Sequence, residues 1–234
     1  MGNENRRMEE WKMSELAVTE RTRHRRMREN GSVRRADLDA VLAAGFVCHL
    51  GVVVDGAPMV VPTVYGATAD TLYFHGSVAS RSLQQAAEAG AAGAAEMCVT
   101  VTHVDGLVLA RSVFEHSVNY RCAMVYGVPR VLADEEKLEG LRVLSEQCAP
   151  GQWDYARRPN RKELAATTLL ALDLAEASVK ISVGPPDDGD GPDAELGLWA
   201  GNVPIRTVFD APVATPDLAD GITLPDHIAA LRSV

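Results

Sequence analysis

Residues 46–66 read FVCHLGVVVDGAPMVVPTVYG. Two valine-rich runs, FVCHLGVVV and PMVVPTVYG, lie either side of Asp55-Gly56. β-branched and aromatic side chains suit a pleated, half-buried surface. Asp-Gly is a two-residue turn pair that accepts positive φ. The stretch therefore predicts a β-hairpin, and with it antiparallel pairing. The same sign recurs downstream. MCVTVTHV (97–104) and LVLARSVF (107–114) flank Asp105-Gly106, which predicts a second hairpin. Thr71 to His75 reads as a strand between the two. NYRCAMVYGVPRVL (119–132) reads as one long strand bent at Gly127 and Pro129. A final strand pair, or one long strand, runs from about Leu170 to Val183. Six or seven strands with tight connections and no sustained βαβ alternation predict a mainly β, α+β fold: a small antiparallel barrel packed with helices.

The helices carry their own signals. ADLDAVLAA (36–44) presents Leu38, Val41 and Leu42 on one face and stops before Gly45. SRSLQQAAEAG (80–90) reads as a helix. DEEKLEGLRVLSEQC (134–148) has Asp134 at its start as a cap, with Leu138, Leu141 and Leu144 facing inward. Asn160 and Glu163 form a capping box at NRKEL.

Composition narrows the function classes. The 234 residues carry 23 Lys and Arg against 32 Asp and Glu, a net charge of −9, which argues against a general nucleic-acid binder. The charge divides the chain: residues 1–35 form a basic, partly helical arm, residues 36–206 the barrel domain, and residues 207–234 a C-terminal tail. The arm suits a subunit surface or an acidic partner. The start has no apolar signal segment. The apolar region 41–65 is broken by His49, Asp55, Gly56, Pro58 and Pro62, so it cannot cross a membrane as a helix. Cys48, Cys98, Cys122 and Cys148 lie apart with no CxxC, as reduced thiols of a cytoplasmic protein would. No histidine or cysteine spacing suggests a metal site. P-loop, GxGxxG and GxSxG motifs are absent.

Four segments concentrate chemistry. In LYFHGSVASRSL (72–83), an apolar run stops at His75, then Gly76, Ser77, Ser80, Arg81 and Ser82 surround a helix start. Either this is a capped turn, or the free N–H groups, hydroxyls and guanidinium seat a phosphate. Pro62, inside PMVVPTVYG, belongs at an edge or where pairing is interrupted; the freed backbone either meets water or a flat ring. LARSVFEHSVNYR (109–121) crowds Arg111, His116, Asn119, Tyr120 and Arg121 onto β runs, either on a solvated face or at a ligand or subunit boundary. In LWAGNVPIR (198–206), Trp199 is either core or a cover for a cofactor ring.

The order PTVYG, LYFHGSVASRSL, TVTHVDGLVLARSVFEHSVNYR, PGQWDYARRPNRKEL, SVKISVGPPDD and LWAGNVPI resembles the pyridoxamine 5′-phosphate oxidase-like flavoproteins. More closely, it resembles the branch with the nitroimidazole-resistance proteins. The resemblance covers about Arg34 to Arg206. It implies an FMN-binding split β-barrel and a homodimer with FMN in a cleft between subunits. By the same resemblance, Val61, Pro62 and Thr63 run beside the isoalloxazine ring. His75, Gly76, Ser77, Ser80 and Arg81 bound the ribityl-phosphate end. Asn119, Tyr120 and Arg121 stand near the cleft, and Trp199, with Arg206, approaches from the partner subunit. The strand PMVVPTVYG lacks the basic residues that hold the FMN phosphate in the true oxidases, leaving Arg81 as the nearest arginine, and the substrate-phosphate residues of those oxidases are not recognisable, which argues against pyridoxamine phosphate as substrate. The implied activity is FMN-dependent oxidation or reduction of a small molecule, with His75 as the candidate proton donor. The alternatives are a haem protein on the same barrel, ligated by His75, His116 or His49, and a non-catalytic flavin- or ligand-binding protein.

Overall fold

The computed structural model describes residues 15–78, 80, 83–84 and 96–231. Among them ten strands form one antiparallel sheet system: β1 (Gly31–Ser32), β2 (Val47–Val54), β3 (Ala57–Ala67), β4 (Thr71–Ser77), β5 (Met97–Leu109), β6 (Ser117–Gly127), β7 (Arg130–Val131), β8 (Thr167–Asp173), β9 (Ala177–Ser182) and β10 (Gly201–Pro204). Their order is β1-β9-β6-β5-β2-β3-β4-β8-β7, with β10 paired to β5. Seven strands have six or more residues, and the other three have two to four. The sheet curls into a half-barrel. Among the described residues, the α-helices with defined bounds are α1 (Arg35–Ala43), α2 (Asp134–Cys148), α3 (Gln152–Tyr155), α4 (Arg161–Ala165) and α5 (Asp226–Ala229).

The hairpin that opens the reading is present. Val54 pairs with Ala57 across Asp55 (φ 51°) and Gly56 (φ 78°), two left-handed residues in succession. This is the two-residue turn whose twist matches the flanking strands.

The second Asp-Gly does not turn. β5 runs unbroken from Met97 to Leu109, and Asp105 is a bulge within it: Val104 pairs with Tyr120 and Gly106 with Asn119, so Asp105 is the extra residue. Burial shows the slip. Met97, Val99 and Val101 face inward before Asp105, and Gly106, Val108 and Ala110 after it, so the inward positions change from odd to even. Gly106 serves a close approach here: a Cβ would lie 3.0 Å from Val203 O of β10. The dipeptide is the same, but neighbouring strands hold both of its residues extended.

The long strand expected over 119–132 is two. β6 ends at Gly127, the chain breaks at Val128 and Pro129, and β7 pairs with β8 instead. Pro129 has no N–H to continue a ladder. β4 extends past His75 to Ser77, so its pairing with β8 carries through Gly76. β8 and β9 are separate strands with different partners.

The core takes Leu38, Val41 and Leu42 from α1, packed against Leu50, Val99, Val101, Ala123, Val125 and Val179. A second cluster joins Leu144 of α2 to Leu132, Leu169 and Ala171 on the other face of β8. The N-cap position of α2 is Ala133, with Asp134 the first helical residue. The capping box at α4 is complete: Asn160 Oδ1 accepts from the N–H groups of Lys162 and Glu163, and Glu163 accepts from Asn160 N–H. Before α1, Arg21 is clamped between Glu96 and Glu176, and its guanidinium lies over the Tyr126 ring. Beyond residue 206, Phe209 meets Phe46 and His227 of α5 bonds Gln152 of α3.

Candidate functional site

The site begins where two strands part. β3 pairs with β2 along Ala57 to Val64, but with β4 only at Tyr65, Gly66 and Ala67. From Ala57 to Val64 its far edge meets no described strand. Val61, Pro62 and Thr63 lie on that edge, opposite Leu50, His49 and Cys48 of β2. Pro62 stands where strand pairing is one-sided, as its missing N–H favours. The outer face there is apolar and open, with Val60 67% and Val53 63% exposed.

One link crosses the split: Thr63 Oγ1 donates to the His75 carbonyl at 3.1 Å. The structure thus brings Thr63 and His75 together. Gly76 follows with Leu83 packed on it, close enough that a Cβ would meet the leucine. Ser77 O accepts from Ser80 N–H at 2.9 Å and Ser80 O from Gln84 N–H at 2.8 Å, which is how the chain enters its next turn. Arg81 lies outside the described residues.

The His75 imidazole is the unusual group. Its buried Nδ1 has no hydrogen-bond partner among the described residues, and burial lowers its pKa from the ordinary value. A buried unpartnered ring nitrogen is costly and needs a reason. The ring borders a cavity of about 300 Å³ walled by Leu141 and Ser145 of α2, Gln152 and Trp153 of α3, and Arg157. Sequence marks Leu141 of that wall only as an inward-facing helix residue and none of it as a ligand contact, although the block PGQWDYARRPNRKEL is part of the resemblance. Only the fold of α2 and α3 against β4 and β8 turns those residues toward His75.

The other two candidate histidines differ. His116 Nδ1 accepts the Ala110 N–H at 3.0 Å, which leaves its proton on Nε2 and no lone pair there. His49 is exposed on the outer sheet face.

Asn119, Tyr120 and Arg121 form a second group. Asn119 Nδ2 donates to Gly184 O at 3.1 Å, Tyr120 lies under the Lys180 ammonium at 5.3 Å, and Arg121 makes two 2.9 Å bonds to Asp105. The Arg121–Asp105 fork fastens the bulge. Val125 shares a cross-strand row with Val99, Leu50 and Val61, and Tyr120 is five positions further along β6. That separation is roughly 16 Å along the strand and about 14 Å across it. One chain does not bring this group to Val61–Thr63. Trp199 is 67% exposed, its ring over Gly201 at the start of β10. Among the described residues no helix is long and apolar enough to cross a membrane.

Comparison with known proteins agrees with this geometry. The FAD and haem binding protein from Mycobacterium smegmatis is 39% identical, covering 87% of this chain and 98% of that one, with a TM-score of 0.81. The flavocytochrome Anf3 from Azotobacter vinelandii is 33% identical over 93% of this chain and 99% of that one, with a TM-score of 0.85. A 5-nitroimidazole antibiotic resistance protein from Bacteroides thetaiotaomicron shares the fold at 18% identity and a TM-score of 0.52, over 64% of this chain and 86% of that one. A search of curated protein sequences found no significant match. A family model for pyridoxamine 5′-phosphate oxidase matches residues 34–181, well over half of the chain. By that match and its two near-full-length relatives, the chain belongs to the pyridoxamine 5′-phosphate oxidase-like family of flavin- and haem-binding split barrels.

Proposed function

We propose that this chain is a redox protein that binds both a flavin and a haem, and that the flavin is FAD rather than the FMN implied by the sequence motifs. The observation that carries the reading is near-full-length likeness, at 39% and 33% identity, to an FAD and haem binding protein and to a flavocytochrome. The bare edge of β3 supports it: unpaired backbone groups beside an apolar face suit a flat heteroaromatic ring. Val61, Pro62 and Thr63 would lie along that ring. Gly76, Ser77, Ser80 and Arg81 would take the phosphate end.

His75 fits as the iron ligand. Haem iron takes a neutral imidazole nitrogen, burial favours the neutral ring, and no group among the described residues bonds its Nδ1. When bound, the flavin supplies hydride and single-electron transfer and the haem single-electron relay. The chain's residues hold the two groups, keep the His75 ring neutral and exclude water from the split.

The protein acts as a homodimer in this reading. Asn119, Tyr120, Arg121 and Trp199 are too far from the β3 edge within one chain, and a second copy would bring its own set to that edge while covering Val53 and Val60. The substrate is a small molecule entering between the two.

An absorbance spectrum of the purified protein, after incubation with FAD and haem, tests the proposal. Flavin bands and a Soret band are expected, the latter lost in His75→Ala and kept in His116→Ala. Chromatography of the heat-released flavin separates FAD from FMN, and light scattering should give twice the chain mass. A protein that stays colourless overturns the reading.

A further inference from the structure

The cavity beside His75 is unbalanced in its hydrogen bonding. Its one carboxylate, Glu163, is spent: it accepts from Arg157 at 2.7 and 3.0 Å and from Asn160 N–H at 2.8 Å. Gln152 Oε1 is held by His227 Nε2 at 2.8 Å, and the Thr167 hydroxyl donates to Glu163 O at 2.9 Å. Arg157 is spent with Glu163, but three neutral donors are not. The Ser145 hydroxyl, the Gln152 NH₂ and the Trp153 indole N–H have no acceptor among the described residues, although all three line the wall and are half-buried. Leu141 and Leu164 make the remaining wall apolar. Arg158 lies over the Trp153 ring at 4.4 Å and fixes its plane.

Unspent donors on a wall otherwise apolar match the oxygen pair of a carboxylate, while Arg157 at the rim is already paired with Glu163. We propose that this cavity seats the carboxylate of a planar ligand, held by Ser145, Gln152 and Trp153 with Arg157 at its rim. Two sources share that chemistry: a propionate of a haem held at His75, which rests on the proposed haem binding, and a free planar acid, which does not. His227 of α5 braces Gln152, so the C-terminal segment shapes one wall.

The test compares haem with its dimethyl ester, which lacks free carboxylates, by Soret titration, and adds benzoate by calorimetry on cofactor-free protein. If the seat holds a propionate, haem binds at least about tenfold more tightly than the ester. The double variant Ser145→Ala, Trp153→Phe then removes the preference while leaving the ester's affinity unchanged. If the seat holds a free acid, benzoate binds saturably at one per chain, and the double variant weakens it by about tenfold. Urea midpoints of the variants establish that they fold. Equal binding of haem and ester together with no benzoate binding below about 10 mM overturns the proposal. So does a preference or a benzoate affinity that the double variant leaves intact. If neither haem form binds, haem binding itself fails, and the benzoate arm still decides the cavity.

Discussion

His75 and Glu176 show how single residues tie this fold to pH. Burial holds the His75 pKa below the ordinary 6.5, so the unfolded chain takes up that proton first. Its contribution to stability is in place above about 6.5 and is lost as the pH falls. Ring NMR should place its midpoint below the ordinary 6.5. His75→Gln should lose less urea stability than the wild type between pH 7 and 5. Glu176 works lower on the scale. Arg21, and then the Thr19 hydroxyl, hold its pKa at about 2, so its contribution is present above the ordinary carboxylate value of 4.5 and fades as the pH approaches 2. Glu176→Gln should flatten that acid limb in a melting series; an unchanged limb would show that the clamp contributes nothing. His75 was legible from sequence as a polar residue closing an apolar run. The cavity it borders was not, because Ser145, Gln152 and Trp153 come to the same wall only through the packing of two helices that lie some 60 residues or more further on.

The two Asp-Gly pairs make the same lesson local to elements. Sequence alone predicts a turn at both, and only Asp55-Gly56 makes one. At Asp105-Gly106 the chain is held extended by β6 on one side and β10 on the other, and the extra residue is absorbed as a bulge that Arg121 fastens. Tertiary pairing overrode a local signal whose strength is only about a kcal/mol per residue. Helices α1 and α2 were readable from their apolar spacing and α4 from its capping box, all local properties, whereas Asp134 does not cap α2. The break at Val128–Pro129 was read as a bend because sequence does not show which strand β7 will join. Glycine substitutions should separate the two pairs. Gly56→Ala puts a side chain at φ 78° and should cost about 1 kcal/mol by urea unfolding. Gly106→Ala instead presses on Val203 and should strip hydrogen-exchange protection from Gly201–Pro204 while β5 and β6 keep theirs. Equal loss of protection along β5 would mean that Gly106 is needed for the strand itself.

Across the molecule, β5 is the shared element. β6 covers one of its edges from Met97 to Val108. The other edge is divided: β2 takes Cys98 to Thr100, and β10 takes Gly106 to Leu109. The family resemblance located this barrel correctly because its motifs fall on β3, β4, β5, β6, β9 and β10. It did not show that a four-residue strand near the C-terminus completes β5. That arrangement has a consequence during synthesis. A ribosome finishes β5 some 90 residues before it finishes β10, so the nascent chain carries an open, valine- and leucine-bearing strand edge until residues 201–204 emerge. Such an edge is a template for pairing with other chains. A chain ending at Trp199 should aggregate as it folds, whereas one ending at Arg206 should stay dispersed in the same light-scattering assay. The strand at 201–204 thus acts as a seal on the growing chain, and its late arrival sets the period in which the β5 edge stands open.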